Sequence, residues 1–231
     1  MKIGILGSGN MGRSLGLRWA ENGHPLFFGS RDIDQAKSVA DFVGNGAVGG
    51  TLEDAARFGD VLVHTARAVP LSEMISDVSL IHGKTVIDLN NRPIFDGLKF
   101  EPVTQSLTEL LQADAPNTNV VKAFNMFAQE LYEHDAATIA SHDVSLFLAG
   151  NSREAKQQVA ALASELGFTP VDAGPLENTR LVETMGDMIR YLIAGTKLGS
   201  TAALSVQVLP TSNTKRLGGR VDSKFAKHQS K

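Results

Sequence analysis

The segment Lys2-Ile3-Gly4-Ile5-Leu6-Gly7-Ser8-Gly9-Asn10-Met11-Gly12 leaves a chain few folds to choose from. Ile3 to Leu6 read as a short buried strand, and the glycines at 7, 9 and 12 turn that strand directly into a helix. Each glycine has its own reason. Gly7 permits the tight turn, Gly9 lets the backbone approach a ligand, and Gly12 lets helix and strand touch. The helix that follows carries Met11, Leu15, Leu17 and Trp19 and is closed by Gly23. A strand running into a helix in this way presents unpaired N–H groups at the helix start, where a pyrophosphate binds. The implied ligands are Gly7, Ser8, Gly9, Asn10, Met11 and Gly12.

A second apolar run ends in Phe27-Phe28-Gly29-Ser30-Arg31. An acid near the end of that strand would accept hydrogen bonds from a ribose 2′-hydroxyl. Ser30 and Arg31 stand there instead, a hydroxyl and a planar cation suited to a 2′-phosphate. The cofactor expected is therefore NADP(H). Gln35 occupies a position that often supplies a second cation, and Lys37 is placed to compensate.

Beyond this point short apolar runs alternate with helical patterns, the mark of a parallel sheet covered on both faces. Strands are expected at Ile3–Leu6, Leu26–Phe28, Ala47–Gly49, Val61–Thr65, Thr85–Leu89 and Val120–Phe124, then at Val144–Ala149 and Thr169–Asp172. Helices are expected between them, including Leu71–Val78, Gln129–His134 and a long final one from Glu177 to Val208. On that last helix Leu181, Met185, Met188, Ile189, Leu192 and Ile193 read as a core-facing stripe, with a remaining apolar face suited to a second copy, a homodimer. The fold class is α/β: a Rossmann-type doubly wound parallel sheet with a small C-terminal α/β extension ending in a long helix. The domains read as 1–125 for the dinucleotide, 126–209 for a small second domain with the dimer and acceptor-site helix, and 210–231 as a flexible basic tail.

Composition narrows the function. A net charge of -3 over 231 residues gives no footprint for nucleic acid. With no cysteine there is no disulfide, no thiolate nucleophile and no Cys-based metal site, and no metal site is expected at all. No stretch reads as a membrane span and the chain starts on a core strand, so a cytoplasmic location is the expectation.

Five segments carry a family likeness: Gly7-Ser8-Gly9-Asn10-Met11-Gly12, Gly29-Ser30-Arg31, Asp88-Leu89-Asn90-Asn91, Val121-Lys122-Ala123-Phe124-Asn125 and Asp172-Ala173-Gly174-Pro175-Leu176. In this order the chain resembles the coenzyme F420-dependent NADP oxidoreductase family, and in several details the cytosolic reductase domain of the STEAP metalloreductases. The resemblance implies a Rossmann domain that binds NADP and passes a hydride to a small-molecule redox acceptor, a deazaflavin (coenzyme F420) or a flavin (FMN or FAD), with onward metal reduction as an extension. Arg67 departs from the pattern, because deazaflavin-using relatives have a Pro followed by an aromatic there. It is expected at the mouth of the acceptor pocket, on NADPH itself, or paired with an acid such as Glu73.

In an open parallel sheet the ligand lies beyond the carboxyl ends of the strands. Thr65, Ala66 and Arg67 follow the fourth strand, Asn90 and Asn91 the fifth, and Ala123, Phe124 and Asn125 the sixth, so all are candidate cofactor residues. Asn90 and Asn91 read equally as ligands or as turn residues. Lys122 reads as structural and His64 as a satisfied core histidine. No catalytic acid or base is expected, because hydride exchange between two rings needs mainly positioning and exclusion of water. Two other readings stay open, an NADPH-dependent imine or carbonyl reductase and a nonenzymatic NADP-binding redox sensor.

Overall fold

The computed structural model describes residues 1–67, 69–94 and 98–210. Its first half alternates strand and helix: Ile3–Leu6 (β1), Asn10–Glu21 (α1), Leu26–Gly29 (β2), Ile33–Val43 (α2), Val48–Gly50 (β3), Leu52–Phe58 (α3), Val61–His64 (β4), Leu71–Met74 (α4), Thr85–Asp88 (β5), Leu107–Asp114 (α5) and Asn119–Lys122 (β6). Helix starts follow the capping residues: Asp32 accepts from Gln35 N, while Thr51 and Ser106 form capping boxes with Asp54 and Glu109. The six strands lie parallel in the order β3-β2-β1-β4-β5-β6, so the order reverses between β1 and β4. That reversal puts a crevice at the carboxyl edge, above Leu6 and His64.

The chain then adds Ala136–Ser141 (α6), Ser145–Leu148 (β7), Arg153–Ser164 (α7), Thr169–Asp172 (β8) and Thr179–Arg190 (α8). Strands β7 and β8 pair in parallel, and β7 joins the large sheet through the antiparallel pair Lys122 and Ala149, whose backbones exchange bonds at 2.9 and 3.1 Å. One apolar core runs through both parts. Trp19 packs edge-on to Phe124, Phe124 edge-on to Phe168, and Trp19 Nε1 donates to the Leu162 carbonyl at 3.2 Å. Burying these rings together is what holds the added layer to the first sheet.

Several expected boundaries move. The segment Gln129–Glu133 is a 3-10 turn, and α4 stops at Met74, with a second 3-10 turn at Val78–Ile81. Helix α6 follows as an element the pattern missed. The long final helix is present but ends early: α8 passes into a π-turn at Tyr191–Gly195 and goes no further. Lys197 at φ 59° and Gly199 at φ 107° turn the chain, and residue 204 returns to β7, where Ser145 N donates to the Leu204 carbonyl at 2.8 Å. The apolar stripe also rotates. Leu181 and Met188 face outward at 62% and 57% exposure, while Val182, Glu183, Gly186, Asp187 and Ile189 are buried. Among the described residues no helix is long and apolar enough to cross a membrane. The basic tail from residue 211 onward lies outside the described residues.

Candidate functional site

The glycine-rich turn is built as its spacing requires. Gly7 sits at φ +122°, and a Cβ there would fall 2.2 Å from Thr65 Oγ1. A Cβ on Gly12 would press against Ile5 Cγ2 at 2.9 Å and the Gly7 carbonyl at 3.2 Å, so this glycine serves helix–strand contact. Gly9 differs: a Cβ there would meet nothing within 4 Å. Gly9 is also the N-cap of α1, with no side-chain cap and no acidic residue in the first turn. The N–H groups of that turn are therefore left uncapped by any side chain, the arrangement that takes an anion. Ser8 Oγ donates to Gln35 Oε1 at 2.9 Å and ties the turn to α2, which gives Gln35 a part in holding the loop.

Two clefts meet over this turn. One, of about 500 Å³, includes Ser8, Ser30, Arg31, Gln35, Ala66 and Arg67 in its wall. The other, of about 780 Å³, is walled by Asn10, Met11, Asn91, Arg92, Asn125 and Arg190 among others. Gly9, Thr65 and Arg67 belong to both. Arg67 is exposed, holds φ +48°, and makes no salt bridge among the described residues, Glu73 included. It lines both clefts together with Gly9, the N-cap of α1.

Beneath the larger cleft lies a buried polar scaffold. Asn90 Nδ2 donates to His64 Nδ1 at 2.6 Å, so the imidazole proton is on Nε2, which donates to the Val69 carbonyl at 2.8 Å. Asn90 Oδ1 accepts from Arg67 N at 2.8 Å. The Asn90 side chain thus joins the loops after β4 and β5 and is fully engaged by protein. His64 is the satisfied core histidine its strand implied. Lys122, with no exposure, donates to Asp88 Oδ2 at 3.1 Å, pairs with Glu183 Oε1 at 3.1 Å and donates to the Asn90 carbonyl. Burial alone would push the Asp88 carboxyl up, but the Lys122 ammonium and the Asn90 N–H outweigh it and hold Asp88 well below the usual carboxylate range. Glu183 moves the other way: burial, with help from the nearby Asp88 charge, raises it despite Lys122. Lys122 is therefore sealed in a structural ion cluster that pins α8 to the sheet.

Phe124 turns the chain between Lys122 and Asn125 at φ 60°. Ala123 and Phe124 are buried in the core and wall neither cleft, while Asn125 reaches the larger one. Asn91 Nδ2 donates to the Asn125 carbonyl at 2.6 Å, and Asn125 Nδ2 donates to Asn91 Oδ1 at 2.9 Å and to the Val182 carbonyl at 3.1 Å. Gly186 lets α8 come this close, since a Cβ there would fall 2.6 Å from both Asn side chains. Asn125 Oδ1 is buried with no partner, an orphaned acceptor in the cleft wall that matches an amide N–H donor. Two wall residues, Arg92 and Arg190, were not among the sequence candidates; Arg190 carried no motif signal, and Arg92 followed the Asn-Asn pair directly.

Residues 2–92 match the model of the family described as NADP oxidoreductase, coenzyme F420-dependent. The chain is 30% identical to the metalloreductase STEAP3 of Rattus norvegicus over 184 residues, covering 80% of this chain and 36% of that protein. It is 27% identical to the F420-dependent NADP reductase of Methanothermobacter thermautotrophicus over 212 residues, covering 82% and 88% of the two chains. A candidate F420-dependent NADP-reductase of Arthrobacter sp. FB24, solved by crystallography, superposes with a TM-score of 0.77 at 24% identity over 90% of this chain and 100% of that one. The chain thus spans little more than a third of the STEAP3 protein and most of the archaeal reductase. The resemblance read from the five segments stands, and the Rossmann architecture is common to this chain and the crystallographic neighbour.

Proposed function

We propose, taking as premise that residues 2–92 match the coenzyme F420-dependent NADP oxidoreductase family, that the chain is an NADPH-dependent oxidoreductase exchanging hydride with a deazaflavin or flavin. NADP(H) fits the residues present. Ser30 and Arg31 hold the 2′-phosphate, the open first turn of α1 and Arg67 hold the pyrophosphate, and the orphaned Asn125 Oδ1 accepts from the carboxamide. When bound, the nicotinamide supplies the hydride. The chain's own residues orient the ring against the cleft wall and exclude water from one face.

A single observation carries the choice of acceptor. Among the described residues, the wall of the larger cleft has no Asp, Glu, His, Lys or Tyr. Reduction of an imine or carbonyl needs a proton donor beside the hydride, and the polar side chains of this wall are amides, guanidiniums and the Thr65 hydroxyl, whose proton is already given to the Leu6 carbonyl at 3.0 Å. A ring that accepts hydride as its whole reaction needs no such donor. The exposed Leu181 and Met188 face of α8 supports a homodimer, checked by sedimentation.

NADPH oxidation measured with coenzyme F420, FMN, FAD, a ferric chelate and a cyclic imine tests the proposal. Turnover with a deazaflavin or flavin and none with the imine is expected. Turnover with the imine alone refutes it, and tight NADPH binding without any turnover makes the chain a redox sensor.

A further inference from the structure

Arg92 and Arg190 come from distant parts of the chain and meet in the wall of the larger cleft. Arg92 follows the Asn-Asn pair after β5, and Arg190 is the last residue of α8. Both lean on one carboxylate. Arg92 Nη2 donates to Asp187 Oδ2 at 2.9 Å and to the Glu101 carbonyl at 2.7 Å, and Arg190 Nη2 donates to Asp187 Oδ1. Arg190 Nη1 donates to the Arg92 carbonyl at 2.7 Å, and its guanidinium lies 5.6 Å from the Phe100 ring centre. Two fixed cations thus share one anion, which leaves this corner with a net positive charge.

Each guanidinium carries five N–H donors, and these contacts leave one hydrogen on each η nitrogen of Arg190 without a protein acceptor among the described residues. The Nε atoms of both arginines are buried and unpartnered as well. Side-chain exposure of 24% and 21% keeps the pair in contact with the cleft. Planar, immobilised guanidiniums with spare donors recognise an oxyanion, a phosphate or a carboxylate.

We propose that Arg92 and Arg190 form an anion subsite for the acceptor, so that the acceptor is a ring compound carrying a phosphate or carboxylate tail. The proposal rests on the acceptor reading above. In that reading the pyrophosphate of the dinucleotide is held by other residues, the first turn of α1 and Arg67, so the two arginines are left for a second molecule. A fixed charge there selects among molecules with the same reacting ring and orients the ring as it docks.

The test uses pairs that differ only in the tail: FMN against riboflavin, and coenzyme F420 against its deazaflavin ring without the phosphate-bearing tail. Dissociation constants are measured by equilibrium dialysis on the NADPH-loaded protein. The anionic member of at least one pair is expected to bind at least about tenfold tighter than its neutral partner. Arg190→Met is expected to abolish that ratio while leaving the NADPH dissociation constant within about twofold. Equal binding within both pairs overturns the subsite, as does absence of binding by all four compounds. A variant that weakens NADPH instead assigns the arginines to the cofactor and also overturns it. Turnover of riboflavin as fast as FMN removes the subsite but leaves the oxidoreductase reading intact. Misfolding of the variant leaves the wild-type ratios decisive.

Discussion

Lys122→Met removes a buried ammonium and keeps most of its volume, and the structure sets the size of the loss. Lys122 has no exposure and serves Asp88, Glu183 and the Asn90 carbonyl together. Without it, Asp88 keeps the Thr108 hydroxyl at 2.7 Å and the Asn90 N–H at 3.0 Å, and Glu183 relieves its own charge by taking up a proton. The Asn90 carbonyl and the Asp88 charge are left poorly compensated. Breaking one side of a buried pair costs about 3–5 kcal/mol. At about 2–4 °C per kcal/mol for a chain of this size, Tm falls by about 6–20 °C at pH 7.

The pH dependence carries a sign that a simple packing defect would not. In the wild type the folded Asp88 carboxyl is held low, so its stabilisation is present above the unfolded value near 3.9 and is lost as pH falls below it. In the variant burial, the largest effect on Asp88, no longer faces the Lys122 charge and outweighs the remaining hydrogen bonds, so Asp88 is raised and stability rises as the pH drops toward about 4 and the carboxyl is neutralised. The gap in Tm between the two proteins therefore narrows on acidification. Calorimetry from pH 7 to pH 4 measures it. A drop below about 2 °C at pH 7, or a gap that widens in acid, refutes the reasoning.

Arg31→Ala is expected to weaken NADPH by about 1.5–3 kcal/mol and leave NADH unchanged, read by titration calorimetry; equal loss for both nucleotides would remove Arg31 from the 2′-phosphate. Arg67→Met is expected to weaken NADPH and NADH alike, by about 1 kcal/mol, since the pyrophosphate is common to both. Selective loss of NADPH, or a change confined to the acceptor KM, would contradict its place at the junction of the clefts. Gly9→Ala should keep the wild-type melting temperature yet lose both nucleotides, because its Cβ projects into open space over α1, whereas Gly12→Val should lower Tm through its contact with Ile5. Full NADPH affinity in the Gly9 variant would undo the reading of the turn.

What the sequence revealed, it revealed through local rules. Gly7, Gly9 and Gly12 state backbone requirements that only one kind of turn has, and the Val- and Ile-rich runs of a parallel sheet are continuous enough to be seen singly. Helix α8 was legible as a helix but its orientation was not. Leu181 and Met188 face out while Glu183 and Asp187 face in, because Lys122 and Arg92 wait at distant positions, and Arg190 one turn on, to neutralise them. Apolar periodicity cannot anticipate a buried carboxylate whose partner lies about sixty residues upstream. Asn90 illustrates the same limit: its residue type suits a ligand or a turn, yet its actual partners are His64 and the Arg67 backbone, both brought in by strand pairing. Phe124 gave no sign that it would adopt φ 60° and redirect Asn125 toward the cleft.

The central claim, hydride passing from NADPH to a ring acceptor across the joined clefts, is tested most directly by isotope. Anaerobic single-turnover oxidation is followed with NADPH deuterated at the reacting nicotinamide carbon, mixed with coenzyme F420, FMN or FAD. The account predicts oxidation with at least one of the three, slower than with unlabelled NADPH, and in the case of coenzyme F420 recovery of deuterium on the ring carbon that accepts the hydride. NADPH that stays fully reduced with all three acceptors, although bound, would contradict it.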